Sequence, residues 1–266
     1  MKTKIPKGYK KLRKPPSSLG AELSYLRQLR QYVRDLVALE KEYVFKNLDA
    51  LVQIANFARP NTDSRQDGYV DDFERVMRDF EVAFYDKHPV NSRQAMSEGV
   101  FVSVENQNKR YYQKSVVQVA AVSPIVSEPW LVDEAAAFVK SNTKLITKMS
   151  EEHFARVEQA TLAGLRDGKL TTDIAKDLEK QLKIPKNKAK LIARDQTSKL
   201  VSNLNQYRQK ELGIKEYVWS TVGDNRVRDE HVALEGQVFS WDNPPSEGNP
   251  GEAINCRCVA IPIIKT

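Results

Sequence analysis

Tyr217-Val218-Trp219, Asp224-Asn225-Arg226-Val227-Arg228, His231, Gly236, Pro250-Gly251-Glu252 and Asn255-Cys256-Arg257-Cys258 crowd into one short stretch of a 266-residue chain. Both cysteines, one of three histidines and two of three tryptophans lie there, punctuated by glycine and proline. Everything upstream reads as helix after helix. The fold therefore divides into a helical body and a small module with a demanding local geometry, and function has to be sought first in the module.

Working outward, the pattern changes beyond Gly213. Residues 214–220 and 237–241 read as short strands, and 257–264 alternates well enough to be a third. Residues 229–234 supply one or two helical turns. The stretch 242–251 holds three prolines and two glycines and reads as a surface loop.

Toward the N-terminus, apolar residues recur at helical spacing at Leu19, Leu23, Leu26, Val33, Leu36, Val37, Val44, Leu48 and Leu51. Ser17 or Ser18 is the expected N-cap, and Glu22 lies near the positive end of the helix dipole. The pattern runs, with one break, to Arg59-Pro60. Arg30 and Glu40 fall on its apolar stripe, which favours a bundle helix over a coiled coil.

After a polar connection at 61–68, helices are expected at 70–85 and 91–122. Two prolines in 123–129 mark the clearest internal boundary. Helices at 131–149 and 150–167 follow, with Gly168 as a stop. Thr171-Thr172-Asp173 opens a short helix to about 182, and Pro185 begins the last, on which Ala193, Thr197, Leu200, Leu204 and Tyr207 share a face. The expected fold class is α+β, predominantly helical: a multi-helix N-terminal body with a small C-terminal α+β module containing a short antiparallel sheet. The expected domains are a basic flexible arm over 1–16, a helical domain over 17–184 and the α+β domain over 185–266.

Apolar content of 41% is enough for a folded core, while 29% charge points to much solvated helix surface. No stretch approaches the ~20 apolar residues of a membrane span, and the N-terminus lacks the apolar segment of a signal peptide. Two cysteines one residue apart are no disulfide framework, so a reducing cytoplasmic origin is expected. The net charge is +7, and Lys2, Lys4, Lys7, Lys10, Lys11, Arg13 and Lys14 follow one another with no acid between them. With Pro6, Pro15 and Pro16 discouraging helix, this reads as a solvated tail able to meet DNA or an acidic partner surface.

His231, Cys256 and Cys258 form the most chemically suggestive set. Thiolates and imidazole are usual zinc ligands, and Cys-x-Cys on a strand places both sulfurs on one side. Asp224, Asp229, Glu252 or water would be the fourth ligand. Free cysteine is also commonly buried as a small hydrophobe, and that packing reading is preferred to metal, with a catalytic thiol last. Arg226 and Arg228 can grip phosphate or carboxylate, but pairing with Asp224, Asp229 or Glu252 to brace a thin-cored module is the simpler reading. Glu252 can cap a helix or accept an arginine, and Arg194 can reach the same cluster. Trp219 and Trp241 read as core plugs, and His88 and His153 as surface or cap residues. No nucleophile stands with its base, and no glycine-rich phosphate loop precedes a helix.

The ordered pattern Ile192-Ala193-Arg194, Trp219, Asp224-x-Arg226-x-Arg228-x-x-His231, Gly236, Pro250-Gly251-Glu252-x-x-Asn255-Cys256-Arg257-Cys258 and Pro262 resembles the C-terminal domain of the phage Mu F-like head morphogenesis proteins. The likeness covers roughly 185–264. Many members carry Thr-Glu after the arginine, where this chain has Asp195-Gln196, so a role needing a carboxylate at the second position is not expected.

The resemblance implies a phage minor head protein acting in head morphogenesis, near the portal inside the procapsid. It implies portal, major capsid or scaffold proteins as partners, contact with double-stranded DNA, and an influence on packaging or ejection. The location would be the virion head, and the host cytoplasm during assembly; no membrane partner is implied. On this reading the motif residues hold the module together and the protein is not an enzyme. Related domains are found fused to toxin or transferase domains. The chain ends eight residues after Cys258, so no such effector is expected behind it. The alternatives are a transferase or hydrolase using the Arg/His/Glu/Cys cluster, or a DNA-binding accessory module. No cofactor is implied beyond zinc at the Cys/His cluster.

Overall fold

The computed structural model describes residues 5–58, 68–117 and 127–265. Lys2 and Lys4, the connection at 61–67 and the prolyl boundary at 123–126 lie outside the described residues. In chain order the elements are β1 (Tyr9–Lys11), α1 (Leu19–Tyr43), α2 (Leu48–Ala58), α3 (Gly68–Lys87), α4 (Val90–Tyr111), α5 (Trp130–Asp167), α6 (Thr171–Gln181), α7 (Lys183–Glu211), β2 (Glu216–Ser220), α8 (Asp229–Leu234), β3 (Val238–Ser240) and β4 (Val259–Lys265). The protein is a mainly helical α+β chain with one four-stranded antiparallel sheet.

The chain forms two compact units, neither of them one continuous segment. One comprises Met1–Tyr25, Ser97–Val139 and Leu191–Thr266; the other comprises Leu26–Met96 and Lys140–Lys190.

Among the described residues the second unit contains helices and no strand. Phe73, Met77, Phe80 and Phe84 recur along α3 at spacings of three and four, so they share one buried face. Phe80 and Phe84 meet Phe154 of α5 edge-on, at ring-centroid distances of 4.9 and 5.7 Å. Gly164 of α5 faces Ile174 of α6 so closely that an added Cβ would stand 2.6 Å from Ile174 Cγ1.

Two histidines correct the sequence reading here. His153 is fully buried and its Nε2 lies 2.8 Å from Glu40 Oε2; His88 is buried, 3.1 Å from Asp35 Oδ2. Each polar ring enters the core because a carboxylate is supplied to it. The same pairing explains why Glu40 sits on an apolar stripe. A second correction is that 131–149 and 150–167 form one helix. Ser150 lies inside it, its hydroxyl donating to the Thr147 carbonyl one turn back at 2.8 Å.

The first unit contains the sheet, in the order β1-β4-β2-β3. β2 pairs with β3 from Glu216↔Ser240 to Val218↔Val238. β4 shares itself between two neighbours: residues 259–262 pair with β2, and 263–265 with β1. Pro262 stands at the changeover. A proline in a mid-sheet strand normally breaks a ladder bond, and the changeover is where that loss disrupts least. Alternation sends Tyr217, Trp219 and Ala260 to one buried face with Trp241 and the cysteines, and Val218, Ile261 and Ile263 to the other.

Part of the segment expected to be a flexible arm is ordered against the sheet. Tyr9–Lys11 is a strand, Leu12 is buried, and the Leu12 N–H donates to the Pro262 carbonyl at 3.0 Å. Lys7, Lys10, Lys11, Arg13 and Lys14 nevertheless remain exposed. The Lys14 ammonium donates to the Thr221 carbonyl at 2.6 Å.

Helix α7 ties this unit together. Ala193, Thr197, Leu200 and Leu204 are buried as their spacing predicts, while Tyr207 stacks on Trp130 at 4.7 Å. Arg208 has no exposed surface. Its guanidinium donates to Glu128 at 2.6 and 3.1 Å, to Glu105 at 2.8 Å and to Asn108 Oδ1 at 2.8 Å. Gln209 accepts from the Trp241 indole at 3.0 Å and donates to the Ala260 carbonyl at 3.3 Å, so α7 grips two parts of the sheet module.

Candidate functional site

Helix α8 is only six residues long and is fixed at its end by β2. The Gly236 N–H donates to the Trp219 carbonyl at 2.9 Å, and the Trp219 N–H donates to the Gln237 carbonyl at 2.9 Å. Gly236 can turn the chain there because it takes φ 77°. This arrangement brings His231 against the Trp219 ring, edge to face, at 5.2 Å. Trp219 itself is wholly buried, as is nearly all of His231.

Cys256 and Cys258 reach the same imidazole. His231 Nδ1 lies 3.4 Å from Cys256 Sγ and 3.5 Å from Cys258 Sγ. Their convergence was expected from alternation along a strand, but β4 begins only at Val259. The cause is a turn instead, closed by the Cys256 N–H on the Ala253 carbonyl at 2.9 Å. The backbone N–H groups of Gly251 and Cys258 both point at Cys256 Sγ, at 3.4 Å each. Cys256 is the sulfur held below its ordinary range, chiefly by its hydrogen bond with Cys258, while burial acts against that fall. Cys258 is held above the range by the same bond and by burial.

The second half of the site is a loop clamp. Asp224 accepts from Arg257 at 2.7 Å and from Arg226 at 2.8 Å, and these two bonds, Arg257's first, hold its carboxyl well below the usual carboxylate range. Arg226 therefore pairs as expected. Among the described residues Arg228 has no carboxylate within ion-pair distance; it donates to the Ile254 carbonyl at 2.8 Å. Glu252 takes no arginine either, but accepts from the N–H and side-chain amide of Asn249 at 2.7 and 2.9 Å, closing the 242–251 loop on itself. Arg194 lies 3.7 Å from Glu22, a carboxylate that also acts on the Arg257 guanidinium.

Gly251 and Asn255 set the course of the chain between these parts. Gly251 has φ 95°, and a Cβ there would lie 2.8 Å from Ser202 Cβ on α7. Asn255, at φ 60°, is the one non-glycine with positive φ among the described residues, and its N–H donates to Asp195 Oδ1 at 2.9 Å. Asp195 is thus a site residue whose role the sequence does not disclose.

Arg226, Arg228, Arg257, His231 and both cysteines line a cavity of about 70 Å³. The arrangement offers two sulfurs and one imidazole nitrogen to a common point, beside a small opening bordered by guanidinium groups. The expected fourth ligands Asp224 and Glu252 are occupied by the arginines and by Asn249 respectively.

Residues 155–261 match the family model described as Phage Mu protein F like protein. The match takes in the end of α5 as well as the stretch containing the ordered motif. An uncharacterized protein of Haemophilus influenzae is 37% identical over 139 residues, which is 52% of this chain and 31% of that protein. The chain thus spans under a third of the length of this relative. No solved structure matches the chain.

Proposed function

We propose, from a C-terminal region that matches the Phage Mu protein F like family model, that the protein is a minor head protein of a tailed phage or prophage. It acts in head morphogenesis by binding, and its place is in the procapsid beside the portal. The observation that carries this reading is the family match over 155–261, which includes every motif residue from Arg194 to Cys258. The geometry agrees in kind. Asp224, Arg226, Arg228, Glu252, Asn255 and Arg257 are engaged in bonds that fasten loops of the module. Such residues serve to hold a shape rather than to move protons.

Portal, major capsid and scaffold proteins are the proposed partners. The exposed lysines and arginine of residues 7–14 give the protein a basic edge that suits the DNA-filled interior of a head.

The test is capture of the protein from a phage-producing lysate, with its companions identified by mass spectrometry. Recovery of portal and major capsid proteins supports the head role; recovery of host enzymes alone overturns it. DNA contact is tested separately with Lys7, Lys10, Lys11 and Arg13 changed together to glutamine. If these residues grip phosphate, the slope of log affinity against log salt becomes shallower by roughly 0.9 for each contact removed. An unchanged slope removes DNA from the proposal.

A further inference from the structure

The geometry points to a zinc site formed by His231 Nδ1, Cys256 Sγ and Cys258 Sγ, with the fourth position taken by a non-protein ligand from the adjoining cavity. All three donor atoms lie within 4.8 Å of one another, and all three residues are buried.

The spacing fits a metal ion. For a tetrahedral zinc with Zn–S of about 2.3 Å and Zn–N of about 2.05 Å, the sulfur–nitrogen edge is about 3.6 Å. The two such edges here are 3.4 and 3.5 Å. His231 Nδ1 is placed almost equally between the two sulfurs. A metal ion at the centre of the set would use all three donors at once.

The surroundings are of the kind that supports ligands. His231 Nε2 is buried without a hydrogen bond among the described residues and lies 4.0 Å from Glu247 Oε2. With the metal on Nδ1, Nε2 carries the proton and points it toward that carboxylate, the usual way a ligating imidazole is oriented. Two backbone N–H groups already aim at Cys256 Sγ, and such contacts stabilise a sulfur that bears charge. Two thiolates with one imidazole suit zinc rather than the harder magnesium or calcium. The 70 Å³ cavity has room for a water as fourth ligand, since about 10–15 Å³ suffices. Zinc there would join α8 to the turn before β4, which is a cross-brace that a module with so small a core can use.

The full chain, purified under reducing conditions, should carry one zinc by elemental analysis. Cobalt(II) exchanged into it should show the near-ultraviolet thiolate-to-cobalt charge-transfer band. Cys258→Ser and His231→Gln should each lose most of the metal. Because either variant can fail to fold, the unaltered protein is tested as well: a strong chelator should lower its melting temperature, and added zinc should restore it. Absence of metal together with absence of the cobalt band overturns the site. So does a Cys256–Cys258 disulfide in the protein as isolated without reductant, or a melting temperature indifferent to both chelator and zinc.

Discussion

Asp195 on α7 holds Asn255 in a left-handed backbone conformation by accepting its N–H at 2.9 Å, sixty residues along the chain. That bond joins the helix bearing Arg194 to the turn that presents Cys256 and Cys258. Asp195 is almost fully buried and also meets Lys199 at 2.8 Å. Asp195→Ala leaves the Asn255 N–H unpartnered and is expected to cost about 1–3 kcal/mol, read as a lower urea midpoint. Asn255→Gly should be nearly silent by comparison, because glycine accepts the same φ. Equal losses in the two variants would mean that the Asn255 side chain, rather than its backbone, is what matters.

Gly251 passes so close to α7 that no side chain fits without displacing Ser202 or the Ser198 carbonyl. Ser202 in turn donates its hydroxyl to the Pro250 carbonyl. Gly251→Ala combines a crowded Cβ with an unfavourable φ and is expected to destabilise by about 1–3 kcal/mol. A melting curve matching the parent's would show that the loop can swing away from α7.

Arg208 is a buried cation held by two carboxylates and an amide. Arg208→Met removes the charge that Glu105 and Glu128 are arranged around, at an expected cost of about 3–5 kcal/mol. Arg208→Lys should fare little better, since one ammonium cannot reach the partners a planar guanidinium spans. If chemical denaturation finds the lysine variant as stable as the parent, the fork geometry is not what the unit requires.

Asp224 gives the module a pH dependence of definite sign. Its folded-state pKa lies below the unfolded value of about 3.9, so its contribution is fully present above that value. It is lost as pH falls through the folded pKa. Asp224→Asn should therefore lower stability at neutral pH, and the gap from the parent should close in strong acid. Urea titrations of both proteins at pH 7 and near the acid limit measure the gap. A constant gap would show that Arg226 and Arg257 do not act through the carboxylate charge.

Much of this architecture is legible in the residues themselves, and the exceptions share a cause. The limits of α8 follow from its turns and its glycine, and β2, β3 and β4 from alternation between Gly/Pro breaks. β1 is not legible: Tyr9-Lys10-Lys11 has the composition of a solvated tail, and only its partner Ile263-Ile264-Lys265 makes it a strand. His153 reads as a surface residue until Glu40 is found opposite it. Likewise, the sequence brings His231, Cys256 and Cys258 to notice by their chemistry, but it places the cysteines on a strand when a turn aligns them. Local pattern reveals periodicity; it does not reveal which distant residue neutralises a charge or completes a ladder.

The placing of β4 between β1 and β2 has a consequence in time. Translation delivers β1 far ahead of β4, and β2 and β3 shortly ahead of it, so β1 has no partner strand and β2 keeps one edge unpaired until residues 259–265 emerge. Until then the β2–β3 hairpin is left with an open edge, and such edges invite pairing with other chains. The helical unit comes from Leu26–Met96 and Lys140–Lys190 and has no such wait. Folding should accordingly run in two stages, with the sheet unit as the late, slow and aggregation-exposed event of the chain's synthesis.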